Sequence, residues 1–215
     1  VRGESETLID AIQEAIQIGR RAGAAVQISH FKAAGRANWD KAAEALAILD
    51  QARSEGLDVT ADMYPFTGGA TYLAVLLPKW ALEGGTPALL GRLERPEECA
   101  RIGEAMRAGQ GGLVSNIEWD KVLIGGSVNR AYVGHSVSEL AAKEGQDPYA
   151  WVLNALLATR GNIQMVVLLM AEENVRMQLR HPAMMFGTDG LGVSPGGQMA
   201  KGLMHPRFFG TYPRI

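Results

Sequence analysis

Apolar and polar positions alternate along this chain with two different periods. Leu8, Ile12, Ala15 and Ile16 recur at helical spacing. Ser5 can cap that helix, with Glu6 in its first turn, where the helix dipole favours an anion. Arg20 and Arg21 fall in the last turn, and Gly23 stops it. A short apolar run at 25–29, ending at His30, predicts a buried parallel strand. A loop containing Gly35 follows, then Asn38 as a cap. Trp39, Ala42, Leu46 and Leu49 form a second helical stripe, closed by Gly56. Residues 57–63 predict a second strand, stopped by Pro65. Helix, strand, helix, strand is the rhythm of βα units around a parallel sheet.

The end of the chain repeats that rhythm. Residues 163–170 predict a strand, 172–180 a short polar helix, and 184–187 a strand running into Thr188, Asp189 and Gly190. The middle breaks it. It holds Gly-Gly-Thr-Pro at 84–87, a charged stretch at 92–107 and Gly-Gln-Gly-Gly at 109–112. Its helical patterns, such as 137–144, lack evenly spaced partner strands. The expected organisation is therefore barrel βα units at 1–66, an inserted lid-like segment at 67–160, and the last barrel βα units at 161–215. No internal repeat points to a solenoid.

Composition narrows the function classes. The net charge is −2 over 215 residues, so no basic field draws nucleic acid or a membrane surface. The most apolar run, 163–171, is too short to span a bilayer. A single cysteine, Cys99, excludes an internal disulfide and fits a reducing cytoplasm. Cys99 sits in a polar helical stretch and reads as an inert small side chain. The first residue is Val1, and the chain opens in mid-motif, which reads as an excerpt of a longer protein.

Few residues offer chemistry. Four histidines are present: His30, His135, His181 and His205. His30 ends a strand, and in a parallel barrel the carboxyl ends of the strands form the active-site face. A histidine there is either a ligand or catalytic group, or a hydrogen-bonded core residue. Asp189 also follows a strand. It could accept a proton or bind a metal, or it could be a turn aspartate bonding its own backbone. Asp62 and Tyr64 flank Met63 and share a face on strand geometry. Arg207 suits a bidentate grip on a carboxylate, against the reading of a solvated loop charge. His135 and His181 read as surface residues. Gly-Leu-Gly at 190–192 is only part of a phosphate-cradling pattern.

Several strings recur together in one order. They are Arg-Gly-Glu at 2–4, Gln-Ile-Ser-His-Phe-Lys at 27–32, Gly-Arg-Ala-Asn-Trp at 35–39 and Asp-Val-Thr-Ala-Asp-Met-Tyr-Pro-Phe-Thr at 58–67. Leu-Leu-Pro-Lys-Trp-Ala-Leu-Glu-Gly-Gly at 76–85, Phe-Gly-Thr-Asp-Gly at 186–190 and His-Pro-Arg-Phe-Phe-Gly-Thr-Tyr-Pro-Arg at 205–214 complete the set. With these strings the chain resembles the N-acyl-D-amino-acid deacylases (D-aminoacylases) of the amidohydrolase superfamily.

The resemblance implies an α/β fold, the C-terminal half of a (β/α)8 TIM-type barrel with an inserted lid and with zinc at the barrel mouth. It implies hydrolysis of N-acyl-D-amino acids to a carboxylate and a free D-amino acid. His30 then looks like a zinc ligand, Asp189 like the general base and proton shuttle, and Lys32, Tyr64 and Arg207 like the group that holds the substrate carboxylate. The family's His-X-His and its metal-binding cysteine have no counterpart here, and its fifth-strand histidine would fall just before Val1. Two other readings stay open: an amidohydrolase of cyclic amides, like a hydantoinase or dihydroorotase, and a catalytically incomplete half-barrel that only folds or associates. Half a barrel leaves two open sheet edges, so either a homo-oligomer that covers them or low solubility is expected.

Overall fold

A computed structural model describes residues 1–197 and 202–214. In chain order the elements are α1 (Leu8–Ala22), β1 (Val26–Ile28), α2 (Lys41–Ser54), β2 (Val59–Met63), β3 (Gly68–Tyr72), α3 (Gly85–Leu93) and α4 (Pro96–Arg107). They continue with β4 (Val122–Ser127), α5 (Val137–Lys143), α6 (Pro148–Ala158), β5 (Ile163–Leu168), α7 (Glu172–Leu179), β6 (Met184–Phe186) and the short α8 (Thr211–Arg214). They form two compact units. The first holds Val1–Thr67, Leu169–Gly192 and the segment from Pro206 onward. The second holds Gly68–Leu168 and Val193–His205.

The first unit is built on a parallel sheet in the order β1-β2-β6. Val26 pairs with Val59, Ile28 with Ala61, and Asp62 with Met185. Along β2, Val59, Ala61 and Met63 are buried, while Thr60 and Asp62 on the other face are half-buried. The buried face is the one an amphipathic helix can cover, and α1 packs its stripe of Leu8, Ala11, Ile12 and Ile16 inward. Helix α1 ends at Gly23 in the left-handed conformation, whose N–H bonds the Gly19 carbonyl. Two expected caps differ from the structure. Ser5 lies before the helix, buried, and its carbonyl accepts the Leu8 N–H at 3.2 Å. Asn38 is buried in a 3-10 turn, donates to the Ala34 carbonyl at 2.9 Å and accepts from Lys41 Nζ at 2.8 Å, so α2 starts only at Lys41. A buried amide satisfied at both ends serves the loop and not the helix end.

The chain leaves this unit at Thr67 and re-enters it at Leu169. Both Leu169 N and Met170 N donate to the Thr67 carbonyl at 3.0 Å, which closes the excursion. Trp39 Nε1 donates to the Leu169 carbonyl at 2.8 Å, and Asn174 Nδ2 donates to the Trp39 carbonyl at 2.7 Å. The returning strand end is thereby stitched to α2 and α7.

The second unit holds an antiparallel sheet in the order β3-β5-β4. The strand expected at 163–170 forms as β5, but it pairs antiparallel with β3 and β4 and does not join the parallel sheet. An apolar run of six residues satisfies either kind of ladder, so its partners decide the direction. Helices α3 to α6 supply the apolar cover, with Trp151, Ile102 and Leu156 nearly or wholly inaccessible. Helix α5 opens with a capping box: Ser136 Oγ accepts the Glu139 N–H, and Glu139 Oε2 accepts the Ser136 N–H. No helix among the described residues is long and apolar enough to cross a membrane.

Gly19 in α1 is fixed by packing. A Cβ there would stand 2.2 Å from Val26 Cγ2 and 3.1 Å from the Ala24 carbonyl. Gly19→Ala gains about 1 kcal/mol of helix propensity, but it meets a β-branched side chain that cannot swing away. Overpacking of this kind costs about 1–3 kcal/mol. Urea unfolding should therefore show net destabilisation by Gly19→Ala, and less of it when Val26 is first cut back to Ala.

Candidate functional site

All five residues expected at the site belong to the first unit. His30 follows β1 in a tight turn at φ 44°, and Asp189 follows β6 at φ 45°. Both are non-glycine residues in the left-handed region, a conformation that costs about 1 kcal/mol or more and that clusters at functional positions. The turn at His30 is held by Asp62 from both ends. Asp62 Oδ1 accepts the His30 N–H at 3.0 Å, and the Asp62 carbonyl accepts the Phe31 N–H at 2.8 Å. Asp62 Oδ2 is taken up by Gln27 Nε2 at 2.8 Å and Ser29 Oγ at 3.1 Å. Gly187 passes close by, where a Cβ would stand 3.1 Å from Asp62 Oδ1.

Phe31 is buried and anchors the segment, which places Lys32 inside the protein at 6% exposure. Its ammonium is 3.0 Å from Glu4 Oε1 and 3.1 Å from the His30 carbonyl. The same Glu4 oxygen is 2.6 Å from His30 Nδ1. Glu4 is itself fixed by its backbone carbonyl, which accepts the Ala34 N–H at 2.6 Å. Burial pulls the Lys32 ammonium below its ordinary value, and the Glu4 carboxylate opposes that pull.

Tyr64 lies just past the end of β2, with 1% of its surface exposed. Its ring is the floor for two cations: Lys32 Nζ at 5.7 Å and the Arg207 guanidinium at 5.0 Å from its centroid. Burial raises the Tyr64 phenol above its ordinary value, partly offset by Arg207. Arg207, in the turn Pro206–Phe208, is 7% exposed, so it is not a solvated loop charge. Its Nη1 is 2.7 Å from Asp189 Oδ2. Two ion pairs result, Glu4 with Lys32 and Asp189 with Arg207, and the cation of each approaches the same Tyr64 ring.

Two carboxylates join this cluster that the sequence reading assigned no role. Asp62 carried a signal, since it stands at a strand end two residues before Tyr64. Glu4 stands in the Arg-Gly-Glu string at 2–4, but it precedes α1 and comes near His30 and Lys32 only in three dimensions. His135 is exposed, as expected of a surface residue. His181 corrects the same expectation: its side chain is 12% exposed, Nδ1 accepts the Ala183 N–H at 3.2 Å, and Nε2 is 3.1 Å from Asp50 Oδ1. His205 is buried in the second unit, with Nε2 2.8 Å from the Gly68 carbonyl. Burial pushes the Cys99 thiol up, in keeping with its inert reading.

A zinc ion is not accommodated by these residues alone. A stable zinc site takes four donors. His30 offers one imidazole and Asp189 one carboxylate, and among the described residues no three His, Cys, Asp or Glu side chains converge.

Glu4 sets a pH dependence. Burial alone would raise its carboxyl, but the contacts with His30 and Lys32 outweigh burial and lower it from 4.5 to about 2. A carboxyl depressed in the folded state stabilises fully above its unfolded value and loses that contribution as pH falls through its folded value. At neutral pH, Glu4→Gln should thus cost about 3 kcal/mol. Chemical denaturation from pH 7 to pH 2 should show the gap opening at neutral pH and closing below pH 4.5.

No family profile matches the chain. Similarity to curated proteins runs along all of it. It is 30% identical to N-acyl-D-glutamate deacylase of Alcaligenes xylosoxydans xylosoxydans, covering 100% of this chain and 34% of that protein. It is 27% identical to D-aminoacylase of the same organism, with the same coverage. Among solved structures, N-acyl-D-glutamate deacylase from Bordetella bronchiseptica, complexed with zinc and a phosphonate inhibitor, superposes with a TM-score of 0.68 at 23% identity, covering 99% of this chain and 34% of that one. A D-aminoacylase studied for the role of its binuclear metal centre gives a TM-score of 0.66 at 25% identity, again over 99% of this chain and 34% of that one. This α/β chain is thus related over its whole length to the N-acyl-D-amino-acid deacylases, and it spans about a third of theirs.

Proposed function

We propose that this chain is part of a zinc-dependent hydrolase that removes the acyl group from N-acyl-D-amino acids, releasing a carboxylate and a free D-amino acid. The observation that carries the reading is the pair of buried cations, Lys32 and Arg207, placed against the Tyr64 ring at the end of a parallel sheet. Two buried positive groups at one wall suit a substrate that keeps a free carboxylate, as an N-acyl amino acid does. The curated relatives are deacylases of such substrates by name, which does not favour a cyclic amide. In this reading the first unit is the later half of a (β/α)8 barrel, and the second unit is its inserted lid.

The roles follow from chemistry and position. Arg207 and Lys32 grip the substrate carboxylate, and the Tyr64 ring limits where it sits. Fixing that carboxylate fixes which face of Cα meets the reacting groups, so the D enantiomer fits and the L enantiomer does not. Asp189, at the mouth and 40% exposed in its side chain, carries the proton. It takes one from the water that adds to the acyl carbon and gives one to the amine nitrogen as the C–N bond breaks. His30 is the one imidazole here that could serve a zinc ion. The remaining donors must come from outside this segment, and zinc would supply electrophilic activation of the acyl group.

The whole protein is the object to test. Amine release should be seen with N-acetyl-D-amino acids and not with their L counterparts, and chelation should abolish it. Arg207→Ala should raise KM tenfold or more with a smaller change in kcat. Asp189→Asn should lower kcat at least a hundredfold with KM little changed. Equal release from both enantiomers, or none from either, would discard the substrate class. The isolated chain leaves the edges β1 and β6 unpaired among the described residues and should self-associate. Light scattering at the monomer mass would contradict that.

A further inference from the structure

We propose that Phe208 is a positioning residue for the carboxylate grip: its ring, together with that of Tyr64, keeps the Arg207 guanidinium in place when an anionic substrate takes it from Asp189. The kinetic consequence rests on the deacylase reading, and the placement does not. The Arg207 guanidinium carbon lies over the Tyr64 ring at 5.0 Å and over the Phe208 ring at 5.7 Å from the centroid. Both distances fall within the roughly 6 Å reach of a cation–π contact. The remaining anchor is Asp189, whose Oδ2 is 2.7 Å from Arg207 Nη1. These anchors differ in kind. A carboxylate takes N–H groups along the edge of a guanidinium, and a substrate carboxylate competes for the same groups. A ring face lying against the guanidinium carbon takes none of them. An anionic substrate can therefore replace Asp189 while both rings stay where they are.

Phe208 does not reach this place by default. Residues 206–208 form a 3-10 turn, and consecutive side chains of such a turn point about 120° apart. The ring is set by what it packs on. Gly190, directly after Asp189, lies against it. A Cβ at 190 would stand 3.1 Å from Phe208 Cδ1, and 3.4 Å from both Phe208 Cα and the Arg207 carbonyl. The bare backbone at 190 is what lets the ring come this near. The turn itself is tied by the Gly210 N–H, which donates to the Pro206 carbonyl at 2.7 Å, and by Thr211 Oγ1, which donates to the Arg207 carbonyl at 3.0 Å. Phe208 carries no group that reacts, so its effect passes through Arg207.

The test uses the whole protein and the variants Phe208→Leu, Phe208→Tyr and Gly190→Ala. A leucine side chain fills much of the space and has no π face, whereas a tyrosine keeps that face. Steady-state kinetics on an N-acetyl-D-amino acid, thermal melting and crystal structures are compared. Phe208→Leu should raise KM about threefold to tenfold with kcat within about twofold of the parent, and Phe208→Tyr should keep the parent KM. Gly190→Ala, which crowds the ring without removing it, should also raise KM. In crystals the guanidinium should lie over the Phe208 ring in the parent and shift in Phe208→Leu. A Phe208→Leu protein with the parent KM, or with only kcat lowered, overturns the proposal. So does a Phe208→Tyr protein that matches Phe208→Leu, because bulk and not the ring face would then be the cause. If Phe208→Leu fails to melt cooperatively, Gly190→Ala decides, and an unchanged KM there overturns the proposal. A parent with the guanidinium over the Phe208 ring and no amine release would uphold the placement and reject the substrate reading.

Discussion

A buried ammonium must be answered by a carboxylate, and much of the first unit follows from that requirement. Moving an unpaired ion out of water costs several kcal/mol even after a protein relaxes around it. Lys32 is 6% exposed, and Glu4 answers it from the segment that precedes α1. The contact therefore ties the segment before α1 to the turn after β1. It also fixes the strand end, because Lys32 is two residues past His30 and its backbone is bridged to the same segment by the Ala34–Glu4 bond. Removing Glu4 alone would leave the buried Lys32 ammonium without its carboxylate.

The second constraint is backbone strain held in place. Among the described residues, three non-glycine residues have positive φ: His30, Arg160 and Asp189. Arg160 lies just after α6, where a left-handed residue is an ordinary way to end a helix. His30 and Asp189 have no such excuse, since each follows a strand of the parallel sheet. The hydrogen bonds from Asp62 stabilise the first of these turns by more than the conformation costs. The second is tied down by the Asp189–Arg207 ion pair and by Thr211 Oγ1, which donates to the Arg207 carbonyl at 3.0 Å. Strain at two strand ends in the same small sheet aims both side chains at positions that regular extension would not reach.

Much of this was legible along the chain and some was not, for physical reasons. Helix α1 and strand β2 announced themselves, because each buries one face and so carries a clean period with Gly23 or Pro65 at its end, while β1 and β6 showed as short apolar runs and α7 as a polar stretch between strands. Strands β3 and β4 did not. Gly68 and Gly69 in one, and Gly125 and Gly126 in the other, remove the side chains that would mark a strand, and both gain their stability from pairing with β5 far along the chain. Strand β5 was visible as a strand, but its direction was not. His30, Lys32, Tyr64, Asp189 and Arg207 were visible as a set through family strings. The burial of Lys32, Tyr64 and Arg207 was not: Arg207 sits in a Gly- and Pro-rich stretch that reads as loop, and the Tyr64 ring and the Asp189 carboxylate hold it inside.

The charges of the cluster say which group moves. Lys32 and Arg207 supply two positive charges, and Glu4 and Asp189 supply two negative ones. An anionic substrate held by Lys32 and Arg207, as proposed, brings a third negative charge to a wall that is already balanced. One carboxylate must then give up its cation. Glu4 is 18% exposed in its side chain, contacts two donors through one oxygen, and is anchored through its own backbone. Asp189 is 40% exposed in its side chain and sits on a strained turn with water at hand. Solvent can compensate Asp189 for the loss of Arg207 far better than it can compensate Glu4 for the loss of Lys32. In the proposed reading it is therefore Asp189, the group given the task of carrying a proton between water and the amine nitrogen, that gives up its cation to the substrate.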